Sequence, residues 1–404
     1  MRVVIKQGRA KGRITAPPSK SMAHRLLICA ALAEGESTVR GVSSCEDVSA
    51  TLDCMSAMGV KYEKCGTDVR VFGKTGPDFI PSTPLCCRES GSTLRFLIPT
   101  ALTTGKTVMF VGEDGLFRRP MNIYEKLCEE KGLHFLQDGS SITVKGPLKS
   151  GTFTVTGNVS SQFISGLLFA LPILEGDSRI KIVPPIESRS YINLTLDALK
   201  SFGVKAYFED EYTLFVPGGQ KYIAKDVSVE GDYSGAAFIE ALNLFGGEAE
   251  IDGLKEDSLQ GDKVYKKFFK LLNSGVPTVH IGDCPDLGPI TFSVAAGKHG
   301  GVFTGTRRLK IKESDRAAAM AEELRKFGCL ATVAEDKVVI YPAEFHKPSE
   351  PLYSHNDHRI VMALAVLCTV TGGEILGAEA IAKSYPDFFA HLRLLGIEVM
   401  EYET

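Results

Sequence analysis

The chain has 404 residues, more than one simple core holds, so two domains are expected. Its composition, 44% hydrophobic and 24% charged, is that of a globular protein, and a net charge of -3 without a long basic run argues against nucleic acid as a partner. Met1-to-Gly8 has no signal-peptide core, no apolar run reaches about 18 residues, and the ten cysteines form no CxxC pair, so a cytoplasmic protein with free thiols and no membrane span is expected.

In chain order, the first element is a helix entered through Pro17-Pro18-Ser19-Lys20-Ser21-Met22-Ala23-His24-Arg25. The prolines impose an extended path, and Ser19 or Ser21 is placed to cap the helix. Lys20, Ser21 and Arg25 then stand beside free N–H groups, which makes an anion site. A stiff linker before an exposed basic helix start is the plainer reading.

Beyond it one unit recurs: an amphipathic helix, a glycine, then a β-rich strand. The six copies are Val48-to-Met58, Tyr124-to-Lys131, Ile192-to-Phe202, Val264-to-Ser274, Arg316-to-Phe327 and Phe388-to-Leu395. Their glycines are Gly59, Gly132, Gly203, Gly275, Gly328 and Gly396, with gaps of 73, 71, 72, 53 and 68 residues. One such glycine is a routine helix stop, but six at similar spacing make a repeat. A period of about 70 residues exceeds the roughly 20–50 of solenoid units, so each copy reads as a small α/β module. A second helix per module fits Gln162-to-Leu174, Gly235-to-Leu244 and Pro289-to-Ala296. Six modules divide into three plus three. With hinges at Thr15-to-Ser19 and Asp226-to-Asp232, one domain is expected over 18–230 and the other over 1–17 plus 231–404. A shell with two linkers suits closure on a ligand.

Several further segments carry more polar chemistry than a plain module needs. Glu89-Ser90-Gly91-Ser92-Thr93-Leu94-Arg95 lets backbone approach an anion at Gly91, or is a simple Gly-Ser cap. Arg118-Arg119-Pro120 puts Arg119 beside a helix whose first residue is read as Pro120, with a surface basic pair as the plainer account. In Asn158-Val159-Ser160-Ser161-Gln162-Phe163, Ser160, Ser161 and Gln162 offer hydroxyls and an amide. Arg307-Arg308 precedes Lys310-Ile311-Lys312-Glu313-Ser314-Asp315-Arg316, where Lys312 and Arg316 stand four apart and suit one shared ligand, against the usual solvated charge run. Asp286 is a lone acid between Pro285 and Gly288, or a helix cap. His355-Asn356-Asp357-His358-Arg359 opens an apolar helix; no matching ligand set accompanies its histidines, so no metal is expected. Lys383 is the last isolated cation at a helix entry. Cations and hydroxyls at so many helix N-termini imply a small, multiply anionic ligand. There is no GxxxxGK[ST] loop and no GxGxxG after a first strand.

Taken together, Ser19-Lys20-Ser21 with Arg25, Val159-Ser160-Ser161-Gln162-Phe163, Lys312-Glu313-Ser314-Asp315-Arg316 and Asp357-His358-Arg359 resemble the EPSP synthase branch of the enolpyruvyl transferases, in the family's order from Lys20 to Asp387. The resemblance implies an α/β (α+β) fold of two similar domains. Each has three βαβαββ units in an inside-out α/β barrel, and two crossover linkers join them with the active site in the cleft. It implies transfer of the carboxyvinyl group of phosphoenolpyruvate to the 5-hydroxyl of shikimate 3-phosphate, in the shikimate pathway to chorismate and the aromatic amino acids. No metal or cofactor is implied, and the enzyme is expected to be a cytoplasmic monomer acting on small molecules, with no nucleic acid or membrane partner. By the same resemblance Ser21, Arg25, Ser160, Ser161, Gln162, Ser188 and Lys312 hold shikimate 3-phosphate. Lys20, Gly91, Arg119, Gln162, Arg316, Arg359 and Lys383 hold phosphoenolpyruvate, with Lys20 also counted among the catalytic groups. Asp286 is the base at the 5-hydroxyl and Glu313 serves proton transfer at the methylene. The chain departs from the family's pattern at Glu89, at Phe117, where an arginine is usual, and at Arg308, which takes the place of an asparagine that touches the shikimate moiety. The nearest rival is the transferase acting on UDP-N-acetylglucosamine, whose loop cysteine is missing from Gly112-to-Pro120. A non-catalytic binder of phosphorylated metabolites is the other.

Overall fold

The computed structural model describes residues 1–75, 78–81 and 84–403. The chain divides into two compact units, Lys20–Glu230 and Met1–Ser19 with Gly231–Thr404. The chain leaves the discontinuous unit after Ser19, two residues beyond the expected boundary. Pro17 and Pro18 stay with that unit because Asp232 N donates to Pro17 O at 2.7 Å and Pro18 bridges to Gly231.

Within Lys20–Glu230 the same strand order occurs three times. Leu85–Cys86 and Thr107–Val111 run parallel, and the hairpin His134–Gln137/Ser141–Lys145 adds antiparallel to the second of them. Thr152–Thr156, Ser178–Val183, Thr213–Val216 and Tyr207–Phe208 repeat this order. In the third sheet Tyr222–Ile223 and Val227–Ser228, from the end of the unit, pair parallel with Ala33–Arg40, whose other neighbour is Asp68–Gly73 and then Lys61–Cys65. Parallel neighbours need a crossover; a helix makes it in the first two sheets, and in the third a helix leads into Ala33–Arg40. These helices, Lys20–Leu32, Gly91–Thr103 and Ser161–Ala170, are apolar nearly all round and almost wholly buried. The helices before the hairpins, Glu46–Ala57, Asn122–Glu130 and Arg189–Ser201, bury one face only.

The other unit is built alike. Thr278–His280, Gly301–Thr304, Lys337–Ile340 and Ala331–Val333 form one sheet. In the next, Leu352–Tyr353 and Gly373–Leu376 are parallel, and the N-terminal strand Arg2–Ile5 inserts antiparallel between Gly373–Leu376 and Val399–Tyr402. The third is reduced to Lys11–Thr15 parallel to Glu248–Asp252. Tyr233–Leu244, Gly288–Ala296 and His358–Thr371 are its buried helices. Each unit has its own hydrophobic core.

The described strands form six sheets, three in each unit, which matches the three-plus-three division of the repeat. Gly59, Gly132, Gly203, Gly328 and Gly396 end their helices with φ between 65° and 92°, where a side chain would be strained. Gly275 instead has φ 167°, extended backbone, because Tyr265–Ser274 leads directly into the first strand of the next sheet rather than into a hairpin.

Candidate active site

The expected site residues fall into two clusters, one in each unit. In Lys20–Glu230 the starts of the buried helices supply them. Lys20 is the first residue of its helix, and its ammonium lies 2.7 Å from the Asp47 carboxylate. Ser21 is inside the helix rather than at its cap, and Ser19, fully buried, precedes it. Arg25, one turn on, is 2% exposed. Its Nε donates to Thr195 Oγ1 at 2.9 Å, and Nη1 and Nη2 donate to the carbonyls of Ser21 and Tyr191 at 2.7 and 3.0 Å. Its guanidinium lies over the rings of Phe96 and Tyr191. No carboxylate pairs with it among the described residues, and burial pulls its pKa down to about 10. A buried cation held by neutral partners is suited to receiving an anion.

Ser90 caps the helix Gly91–Thr103 by accepting from Thr93 N, so the plain cap reading holds for that serine. Gly91 follows, and a Cβ there would lie 3.0 Å from Arg119 Nη1 and 3.3 Å from Arg95 Nη1. Arg95 donates to Gln162 Oε1 at 2.8 Å and to Pro120 O at 3.2 Å, and Gln162 Nε2 donates to Ser92 Oγ at 2.8 Å. Thus Gly91, Arg95, Arg119 and Gln162 converge, two cations and an amide on a bare helix start. Ser160 caps Ser161–Ala170 by accepting from Gln162 N. Ser188 is buried in the left-handed conformation, φ 58°, at the start of Arg189–Ser201. Pro120 is not the first helical residue: Met121 is the cap and the helix begins at Asn122. Phe117 is buried in the core and offers no charge.

The second cluster centres on Asp286, in the 3-10 turn Pro285–Leu287. Its carboxylate meets Arg316 Nη1 at 2.7 Å, Lys312 Nζ at 3.3 Å and Arg359 Nη2 at 3.5 Å. Burial opposes ionisation of Asp286, yet the Lys312, Arg316 and Arg359 charges outweigh it and hold its pKa well below the usual carboxylate range. Lys312 and Arg316 do converge, as their spacing suggested, but on a carboxylate of the chain itself. Arg316, 1% exposed, also donates from Nη2 to Glu313 Oε2 at 2.7 Å and from Nε to Asp357 Oδ2 at 2.8 Å. Asp357 caps His358–Thr371 by accepting from Arg359 N and also accepts from Ser314 Oγ. Burial pulls the Lys312 pKa down, opposed by Asp286. Arg308 is buried and donates to Gly282 O at 3.0 Å. Lys383 Nζ donates to Asn356 O at 2.6 Å.

Asp286, Glu313, Lys312, Arg316 and Arg359 are therefore one constellation, and Lys383 is tied to the Asn356 turn beside it. Sequence reasoning missed Asp47, Arg95 and Asp357 as site residues. Asp47 reads as an ordinary acid in a first helical turn, and Asp357 as an ordinary cap. Arg95 lay within a segment already singled out, one helical turn after Gly91, and that spacing was the available signal.

A family model described as EPSP synthase (3-phosphoshikimate 1-carboxyvinyltransferase) matches residues 4–392. The chain is 37% identical to a 3-phosphoshikimate 1-carboxyvinyltransferase of Clostridium kluyveri, across 100% of this chain and 99% of that one. It is 39% identical to one of Clostridium acetobutylicum, across 97% and 96%. An EPSP synthase structure from Acinetobacter baumannii superposes with a TM-score of 0.81 at 25% identity, covering 99% of this chain and all of the other. No described helix is long and apolar enough to cross a membrane. The sequence match over nearly the full length and the shared fold agree, and the chain belongs to the EPSP synthase family.

Proposed function

We infer that the chain transfers the enolpyruvyl group of phosphoenolpyruvate to the 5-hydroxyl of shikimate 3-phosphate, a step of the shikimate pathway to chorismate and the aromatic amino acids. The observation that carries this is the Asp286 constellation in a chain of this family. Three carboxylates, Asp286, Glu313 and Asp357, stand against three cations, Lys312, Arg316 and Arg359. Such a set is balanced while empty and turns negative when an anionic substrate arrives. The carboxylates then gain proton affinity, which suits groups that must take and return protons.

In this reading Arg25, Ser21, Ser160, Ser161, Gln162, Ser188, Arg308 and Lys312 bind shikimate 3-phosphate. Lys20, Gly91, Arg119, Gln162, Arg316, Arg359 and Lys383 bind phosphoenolpyruvate. Asp286 accepts the 5-hydroxyl proton as that oxygen bonds to C2 of phosphoenolpyruvate. C3 gains a proton, delivered through Glu313 with Lys20 assisting, and a tetrahedral ketal results. Loss of that proton from C3 and of phosphate from C2 leaves the vinyl ether. Cations beside the phosphate and carboxylate stabilise the charge that develops in both steps. Nothing favours the UDP-N-acetylglucosamine reading, since the family match and the relatives above are 3-phosphoshikimate enzymes. We propose that the protein works as a cytoplasmic monomer; its ten cysteines are all free thiols, as suits a reducing compartment.

The test is phosphate release from phosphoenolpyruvate with shikimate 3-phosphate, beside a UDP-N-acetylglucosamine control. Release with shikimate 3-phosphate alone is expected. Release only with the sugar nucleotide, or with neither, would overturn the assignment.

A further inference from the structure

The turn Ser354-to-Asp357 holds two consecutive non-glycine residues in the left-handed region, His355 at φ 50° and Asn356 at φ 55°. Such backbone persists where surrounding groups hold it. Three restraints are local to the strand end: Ser354 N donates to Leu376 O at 3.0 Å, Asp357 N donates to Ser354 O at 3.0 Å, and Asn356 N donates to Ser354 Oγ at 3.1 Å. A further restraint comes from another element. His355 Nε2 lies 3.0 Å from Oε1 of Glu323, a fully buried carboxylate on the helix Arg316–Lys326. The other Glu323 oxygen accepts from Tyr353 N at 3.0 Å. Lys326 Nζ donates to Glu323 at 3.0 Å and to Pro351 O at 3.1 Å. One carboxylate thus ties the helix that bears Arg316 to the strand and turn that follow. Glu322, Glu323 and His355 bring ligand-type atoms within 4.8 Å of one another, but the Lys326 ammonium already supplies the positive charge at Glu323.

The turn carries two contacts of the anion-binding cluster. The Asn356 carbonyl accepts from Lys383, and Asp357, the next residue, holds Arg316 and caps the helix of Arg359. Neither His355 nor Glu323 is placed to touch a substrate in the reading above. We propose that the Glu323–His355 pair is a positioning device for these cations: it clamps the His355–Asn356 turn so that Asp357 meets Arg316 and the Asn356 carbonyl meets Lys383.

The clamp is pH-sensitive. The charged groups facing His355 are Glu323, Glu322 and Lys326. The hydrogen bond to Glu323 raises the His355 pKa above its ordinary 6.5, against burial and Lys326. The imidazolium makes the stronger, charge-assisted bond, so the clamp is firm at low pH and loosens as pH rises through that raised value.

The inference rests on the phosphoenolpyruvate reading above, and its test separates the two. His355→Phe removes the bond, and His355→Gln keeps a neutral donor. With shikimate 3-phosphate as co-substrate near pH 6, His355→Phe is expected to raise the KM for phosphoenolpyruvate about tenfold, leaving kcat and the KM for shikimate 3-phosphate within about twofold. His355→Gln should recover part of that rise. The KM ratio of His355→Phe to wild type should shrink as pH increases, because the wild-type clamp then weakens by itself; substrate ionisation is common to both proteins and cancels. An unchanged KM, or a lower kcat with both KM values intact, would overturn the proposal, the second because it marks a merely structural role. Amide exchange over residues 353–359 in the ligand-free protein reads the clamp without turnover. It should be faster in His355→Phe, and equal exchange overturns the proposal whether or not the wild type is active. Failure of the wild type to use phosphoenolpyruvate, with faster exchange in the variant, would count against the functional reading alone.

Discussion

Arg316 and Asp357 meet through two hydrogen bonds, Nε to Oδ2 at 2.8 Å and Nη2 to Oδ1 at 3.4 Å, with side chains 1% and 0% exposed. Burial by itself would disfavour charge on Arg316, but Asp357, Glu313 and Asp286 outweigh it and raise its pKa. Truncating one partner leaves a buried charge short of its counter-ion. Asp357→Ala should therefore destabilise the protein by about 3–5 kcal/mol in urea titrations. Asp357→Asn, which keeps the shape and one acceptor, should cost less.

Asp286 and Glu313 are the acids to which the proposed mechanism assigns the proton transfers. Asp286→Asn and Glu313→Gln should each lower kcat by about 10²- to 10⁴-fold while the fold, read by circular dichroism, is retained. Unchanged turnover in both variants would favour the metabolite-binder reading.

The pH dependence of stability follows from the same Asp286 carboxyl. Its folded-state pKa lies below its unfolded value, so its contribution is fully present above the unfolded pKa of about 3.9 and is lost as pH falls through the folded value. Between neutrality and about pH 4 the wild type should lose little of this contribution, and below that the gap between wild type and Asp286→Asn should narrow. A gap that widens on acidification would contradict the low folded pKa.

Arg25 presents the opposite case, a buried cation among neutral partners. Arg25→Met should change the stability of the ligand-free protein by about 1 kcal/mol or less, since removal of an uncompensated charge offsets the lost hydrogen bonds. It should weaken shikimate 3-phosphate binding by about 2–5 kcal/mol in calorimetry. Equal affinity in the variant would remove Arg25 from that site.

Gly91 is tested by one added carbon. In Gly91→Ala the new Cβ would lie 3.0 Å from Arg119 Nη1 and 3.3 Å from Arg95 Nη1. Flexible guanidinium ends give way more easily than backbone, so the protein should still fold. The KM for phosphoenolpyruvate should rise by about three- to thirtyfold, while that for shikimate 3-phosphate moves less.

The sequence by itself determined the repeat, the glycines that end its helices, and the segments that form the candidate site. It could do so because a left-handed helix end, an apolar face and a polar helix start each leave a local mark on residue order. It also carried Lys312, Glu313 and Arg316 as one group, because residues three and four apart share a helix face or turn. Tertiary structure alone decided what those residues touch. That Asp286 is the carboxylate on which Lys312, Arg316 and Arg359 meet joins segments tens of residues apart, and no local pattern encodes such a pairing. Asp47 and Asp357 look like ordinary first-turn and cap residues until the fold sets a cation against each. The insertion of Arg2–Ile5 between Gly373–Leu376 and Val399–Tyr402 is likewise invisible along the chain, because a sheet's register is settled by which distant edge still lacks hydrogen-bond partners.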